Sequence, residues 1–220
     1  MSMPIMFIFK LEQVVTRSNV RFCDRKMAHA GIVPGDDEGY FDSIDFTKVY
    51  HDSAIADPVL RNEINDRRMA EVLVPDELPL NATLDMIICR TQFDAISLQH
   101  LMRAQDQNWR TKLRVSTKPA EMFFCWGAYV IELQLAGSAL TLRVKASRDY
   151  TQGQQLKFNI CQQRANQATM VLRANYALAN NPMLISGWDP AYTDNWLIEI
   201  EDALAFCGPV PVAQSTVVSN

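Results

Sequence analysis

From Tyr129 onward the apolar residues fall on alternate positions: Ile131, Leu133 and Leu135, then Leu140, Leu142 and Val144, then Leu156, Phe158 and Ile160. A period of two is the pattern of strands that bury one face, because successive side chains of a strand point to opposite sides. Ala136-Gly137-Ser138 and Thr151-Gln152-Gly153 supply turns between the runs, and Met170 to Leu172 and Trp196 to Ile200 add strand candidates. Residues 125–213 therefore read as a small all-β sandwich-like domain, and the polar stretch Gln214 to Asn220 as a disordered tail. Asn180-Asn181-Pro182-Met183 and Gly187-Trp188-Asp189-Pro190 read as loops. Trp188, Tyr192 and Trp196 suit either an exposed binding cluster or the sandwich core.

Residues 1–124 carry a different pattern, in which short strand and helix signals take turns. Met6 to Phe9 predicts a buried strand, with Leu11, Val14 and Val15 leading into a turn. Residues 31–45 hold Gly31, Pro34, Gly35 and Gly39 among acidic residues, a loop composition. Asp57 before Pro58 predicts a capped helix from Pro58 to Met69: the aspartate accepts from free first-turn amides, and proline's fixed φ suits the first helical position. Glu71-Val72-Leu73-Val74, closed by Pro75, predicts a strand, as do Ile87 and Ile88. Ile96, Leu98, Leu101 and Met102 fit one short amphipathic helix.

Bulk properties narrow the function classes. At 220 residues, 48% of them apolar, the chain can bury a sizeable core. Its apolar stretches, such as Pro4 to Phe9 and Met86 to Cys89, are far shorter than the roughly 20 residues that span a bilayer. The N-terminus lacks a signal-peptide layout, so a cytoplasmic protein with no membrane partner is expected. Cys23, Cys89, Cys125, Cys161 and Cys207 are odd in number and include no Cys-x-x-Cys pair, which argues against a disulfide framework and against a zinc site. Buried free thiols and no metal are expected.

A net charge of −4 argues against bulk attraction to nucleic acid, so any DNA contact must be local. Arg103, Arg110, Lys112, Arg114 and Lys118, with Trp109 among them, form a local basic segment. That mixture suits a base-stacking surface or a solvated charged face. The neighbourhoods of Gly153 and Gly208 lack phosphate-binding spacing, and no nucleophilic triad is evident.

The segment richest in chemistry runs from Ile44-Asp45-Phe46-Thr47-Lys48-Val49-Tyr50 through Asp57-Pro58 to Arg67-Arg68-Met69-Ala70-Glu71-Val72-Leu73-Val74-Pro75. On its strand Glu71 and Leu73 point to one face while Ala70, Val72 and Val74 point to the other, which sets a carboxylate beside apolar surface at a strand mouth. Arg67 and Arg68 are close enough in sequence to hold it ionised. From the residues alone this is either a surface glutamate paired with an arginine or a directed catalytic carboxylate.

These tracts resemble the DarT family, bacterial transferases that move ADP-ribose from NAD onto bases of single-stranded DNA. Phe7-Ile8-Phe9, Phe22-Cys23-Asp24 and Met27-Ala28 are similar to the family's strand and Asp-Gly-x-Ala stretch, and Lys112 to Phe124 to its closing strand. The resemblance covers roughly residues 4–124 and departs at Arg25, where the family has glycine, and at Lys26, where asparagine or histidine is expected.

The resemblance implies an α+β chain: an ADP-ribosyltransferase-like mixed sheet over residues 1–124, followed by the sandwich-like domain over 125–213. It implies NAD as co-substrate, Glu71 as the catalytic residue, and Tyr50, His51, Arg67, Arg68 and Asp24 on the substrate side. Single-stranded DNA is then a partner, as is a macrodomain-type antitoxin. Family members carry a segment with NAD-gripping histidine and arginine before the strand that starts here at Met3-Pro4. The chain is thus expected to represent the catalytic-glutamate half, with no NAD-binding residue assigned. The competing expectation is a catalytically degenerate interaction module whose β-rich domain docks a partner, such as a protein completing the NAD site.

Overall fold

The computed structural model describes residues 5–28, 30–51, 53–74, 77–103, 106–117, 127–146, 150–164 and 169–213. In chain order its first elements are β1 (Ile5–Phe9), α1 (Leu11–Val15), β2 (Arg21–Cys23), α2 (Glu38–Ser43), α3 (Phe46–Val49), α4 (Pro58–Arg67), β3 (Glu71–Leu73), α5 (Leu80–Thr83) and β4 (Leu84–Cys89). Then follow α6 (Gln92–Leu101), α7 (Gln107–Arg110), β5 (Leu113–Val115), β6 (Ala128–Ala136), β7 (Ala139–Ala146), β8 (Gln155–Gln162), β9 (Met170–Ala177), β10 (Met183–Ser186), β11 (Trp196–Ile200) and β12 (Ala203–Gly208). The class is α+β. Two units are distinguishable by internal packing, one of Phe9–Asp85 and one of Met1–Ile8 with Met86–Asn220.

In the larger unit, β10-β7-β6 and β12-β11-β8-β9 form two antiparallel sheets. Their inward side chains share one core that includes Leu133, Leu140, Leu142, Phe158, Ile160, Trp196, Ile198 and Phe206. Burial of each such side chain contributes about 1.5–3 kcal/mol. Trp188 and Trp196 belong to this core, with ring centroids 4.8 Å apart, whereas Tyr192 is half-buried and uses its carbonyl to accept from Trp196 Nε1 and Gln162 Nε2. The alternation expected from Ile131 slips at its first member. The β6–β7 register shifts between Val130 and Glu132, so the core takes Ala128 and Val130 before the bulge and Leu133 and Leu135 after it. Ile131 stays half-buried, and Tyr129, on the other face, lies under the Arg90 guanidinium at 3.6 Å.

Helix α6 covers β12 at one edge of these sheets. Phe93 meets Phe206 edge to face at 6.2 Å, and Ser97 Oγ accepts the backbone N–H of Cys207 at 2.8 Å. An edge strand with free amides invites foreign pairing, and a helix laid along it removes that hazard. Of the expected face, Ile96 packs on this core and Leu98 is half-buried while Leu101 is exposed, and Phe93, Ala95 and Ser97 are buried beside them. The same unit holds a three-stranded sheet in the order β1-β4-β5, with β4 and β5 parallel and Ile87, Ile88 and Cys89 opposite Leu113, Arg114 and Val115.

The smaller unit is built from short helices around the β2–β3 ribbon. Residues 31–45, expected as loop, contain α2, because Asp37 accepts from the Tyr40 amide and caps a first turn. Leu11 to Val15, expected to lead into a turn, form the short helix α1. Asp57 caps α4 as expected, accepting from the amides of Val59 and Leu60.

Among the described residues no helix is long and apolar enough to cross a membrane. Cys23 and Cys89 are buried free thiols, while Cys161 and Cys207 are only half-buried, on the outward phase of their strands. Burial, with a smaller contribution from Asp94, pushes the Cys89 thiol up to about 11. Met3-Pro4, Pro75, Lys118 to Phe124, Cys125 and the tail from Gln214 lie outside the described residues.

Candidate active site

The candidate site is built on the β2–β3 ribbon of the smaller unit. The strands pair antiparallel, with Cys23 opposite Glu71, Phe22 opposite Val72 and Arg21 opposite Leu73. Opposed residues share a face, so Cys23 and Glu71 lie on one side and Phe22 and Val72 on the other. Glu71 is half-buried and Val72 is exposed, in keeping with the alternation expected for this strand.

Beyond β2 the chain turns back over Glu71. The Met27 amide donates to Glu71 Oε2 at 3.0 Å, and Cys23 Sγ lies 3.0 Å from Met27 Sδ. Among the described residues Glu71 forms no ion pair, and its second oxygen, Oε1, has no hydrogen-bond partner. Burial raises the Cys23 thiol first, and the charges of Glu71 and Asp24 add to that.

The arginines are arranged otherwise than their sequence positions suggested. Arg67, at the end of α4, pairs with Asp24 Oδ2 and not with Glu71. Arg25 grips the same carboxylate through Nε at 3.1 Å and Nη2 at 3.2 Å. The hydrogen bond from Arg25, joined by the charges of Arg67 and Arg25, outweighs burial and holds the Asp24 carboxyl below the usual carboxylate range. Arg68 follows α4 as its C-terminal cap residue; its side chain is exposed and has no partner among the described residues.

On the Phe22 face a row of aromatic rings leads away from the ribbon. Phe22 meets Phe41 at 4.9 Å, Phe41 meets Phe46 at 5.1 Å, and Tyr50 stacks on Phe46 at 6.1 Å with planes 14° apart. Phe46 and Tyr50 are four residues apart around α3, which sets them on one helix face. The row ends in solvent, since Tyr50 is 77% exposed. Gly35 lets the row form: its amide and carbonyl both bond Phe22, and a Cβ there would lie 1.9 Å from the Tyr40 ring. Lys48 ties α3 to α4 through Glu63 at 2.7 Å, and His51 Nδ1 accepts from the Ser53 amide.

The structure thus brings together Glu71, Asp24 and Arg67 of the expected site, around a turn that also carries Arg25 and Met27. It places Tyr50 at the end of the aromatic row and His51 beside it in the chain. Neither contacts Glu71. Reasoning from the sequence missed the Met27 amide, which leaves no trace in residue identity, and the partners Phe41 and Phe46, whose spacing to Tyr50 was a usable signal. The basic segment from Arg103 lies in the other unit. There Arg110 donates to the Met102 carbonyl and Arg114 to those of Thr111 and Leu113, so these two guanidiniums serve the backbone.

Comparison with known proteins gives one finding. No curated protein and no solved structure matches the chain. A family model, described as ssDNA thymidine ADP-ribosyltransferase, DarT, matches residues 2–124, more than half of the sequence. That span contains the whole ribbon with its carboxylate, its clamped turn and its aromatic row. The chain belongs to the DarT family of single-stranded DNA ADP-ribosyltransferases.

Proposed function

We propose that this chain transfers ADP-ribose from NAD to a base of single-stranded DNA, thymine by the family's description, with Glu71 as the catalytic carboxylate. The observation that carries the reading is the state of that side chain: one oxygen is fixed by the Met27 amide, and the other has no hydrogen-bond partner among the described residues. In the reaction the bond between nicotinamide and the ribose C1′ breaks and its electron pair leaves with nicotinamide. Positive charge develops on the ribose, and a fixed carboxylate at the ribose hydroxyls stabilises it. A heteroatom of the base then bonds C1′ and releases its proton to solvent.

An unpaired base is recognised by stacking and by its hydrogen-bonding edge. Tyr50 offers the stacking surface in this proposal, with His51 at its side and Arg68 as an exposed cation for the DNA backbone. A role as a toxin, held in check by a macrodomain-type antitoxin that removes the modification, belongs to the same proposal and rests on family membership.

The test is direct. The chain is incubated with NAD and a thymine-containing single-stranded oligonucleotide, and the product is read by mass spectrometry. We expect an adduct of one ADP-ribose, formed about 10²–10³-fold more slowly by Glu71→Gln. An oligonucleotide that stays unmodified overturns the reading and leaves the chain as a binding module.

A further inference from the structure

A carboxylate at the start of a strand rotates about its own side-chain bonds, so something outside the β2–β3 ladder must orient Glu71. The only donor on it among the described residues is the Met27 amide, at 3.0 Å. Met27 lies past the end of β2, in a turn whose course the strand pairing leaves open. Two contacts fix that turn: the Cys23 and Met27 sulfurs at 3.0 Å, and the pairing of Asp24 with Arg67.

Arg67 stands at the last position of α4, four residues before Glu71. Its bond to Asp24 therefore ties the end of that helix, and the entry to β3, to the turn that supplies the amide. The side chains of Arg67 and Asp24 are only 20% and 21% exposed, which shields the pair from the screening that weakens surface ion pairs. Arg25 closes over the outer side of the same carboxylate.

We infer that Asp24 and Arg67 are positioning residues: their ion pair holds the Met27 amide against Glu71, so that one carboxylate oxygen is fixed and the other faces the ligand. Arg67 is thereby assigned to orienting the site rather than to gripping DNA. The inference rests on Glu71 being the catalytic carboxylate, but the geometry it asserts is measurable without catalysis.

The experiment is amide hydrogen exchange by NMR on the full chain. Glu71→Ala should speed exchange at Met27 about tenfold, the worth of one hydrogen bond to a carboxylate. Arg67→Met and Asp24→Asn should reproduce that acceleration while the Phe22 amide, bonded to the Gly35 carbonyl, keeps its wild-type rate. Arg67→Lys should restore part of the protection. Should Arg67→Met speed exchange at Phe22 as well, the near-isosteric Asp24→Asn carries the test. Met27 exchange at the wild-type rate in Asp24→Asn overturns the inference.

Where the wild type modifies DNA, Asp24→Asn should lower kcat and leave KM for NAD in place. An inactive wild type would sink the role of Glu71 and still allow the exchange rates to decide the clamp.

Discussion

The Arg90 guanidinium and the Asp94 carboxylate face each other at 3.3 Å through two nitrogen–oxygen contacts, each side chain about 2% exposed. Asp94 also closes the capping box of α6, accepting from the Thr91 amide and hydroxyl at 2.9 Å. Without Asp94, Arg90 keeps the Tyr129 ring beside it but loses its carboxylate, and removing one partner of a buried pair is strongly destabilising. We expect Asp94→Ala to lose about 3–5 kcal/mol from the pair and about 1 kcal/mol from the cap, read from urea denaturation. A loss below about 1 kcal/mol would mean that Arg90's other contacts, the Tyr129 ring among them, hold its charge without Asp94.

Gly208 sits at φ 131°, where an added Cβ would lie 3.1 Å from His100 Cβ and 3.4 Å from Ile96 Cγ2. Gly208→Ala strains the backbone and pushes α6 off the rim at once. The expected destabilisation is about 2–4 kcal/mol, seen as a lower Tm. An unchanged Tm would show that the helix does not press on β12.

The depressed carboxyl of Asp24 gives a stability that depends on pH. Its folded pKa lies below the unfolded one, so between the two values the unfolded chain binds the extra proton. The contribution is complete above the ordinary aspartate value near pH 4 and is lost as pH falls through the folded value. Asp24→Asn should therefore be less stable than wild type at neutral pH, and the gap should close below about pH 4. A gap that stays constant down to pH 2 would contradict the ion pair.

Tyr50 adds little to the folded state and is expected to matter only with nucleic acid present. Tyr50→Ala should leave Tm within about a degree and weaken binding to single-stranded DNA by about 1–3 kcal/mol, measured by fluorescence anisotropy. Equal affinity for the two proteins would remove Tyr50 from the DNA surface.

What the sequence disclosed divides along physical lines. Local rules carried α4 with its Asp57 cap, the β3 strand at Glu71 and the alternating strands β7 and β8, because capping and periodicity act over a few residues. β12 escaped notice because its hairpin turn is Glu201-Asp202, both at positive φ (53° and 59°), where asparagine and glycine usually announce such a turn. Lys157 holds those residues in place through bonds to both side chains, contacts 44 and 45 residues away in sequence that no local reading reveals. The buried face of α6 was legible only in part: Ile96 packs on the core as its spacing suggested, whereas Leu101 is exposed and the sheet rim also takes Phe93 and Ser97. At the site, the carboxylate and its neighbours were legible as a motif, whereas the choice of Asp24 over Glu71 as the partner of Arg67 depends on a turn that only tertiary structure defines.

The hydrogen bond between Ser97 and Cys207 spans 110 residues, which gives the rim helix a history during synthesis. At ribosomal speeds of about 5–20 residues per second, the helix leaves the tunnel roughly 5–20 s before the strand it will cover does. For that interval the ring of Phe93 has no Phe206 to meet. A nascent chain of this protein must keep an apolar helix in waiting, so interrupted translation past α6 would release a species with a sticky face, and a chaperone would have its clearest handle there.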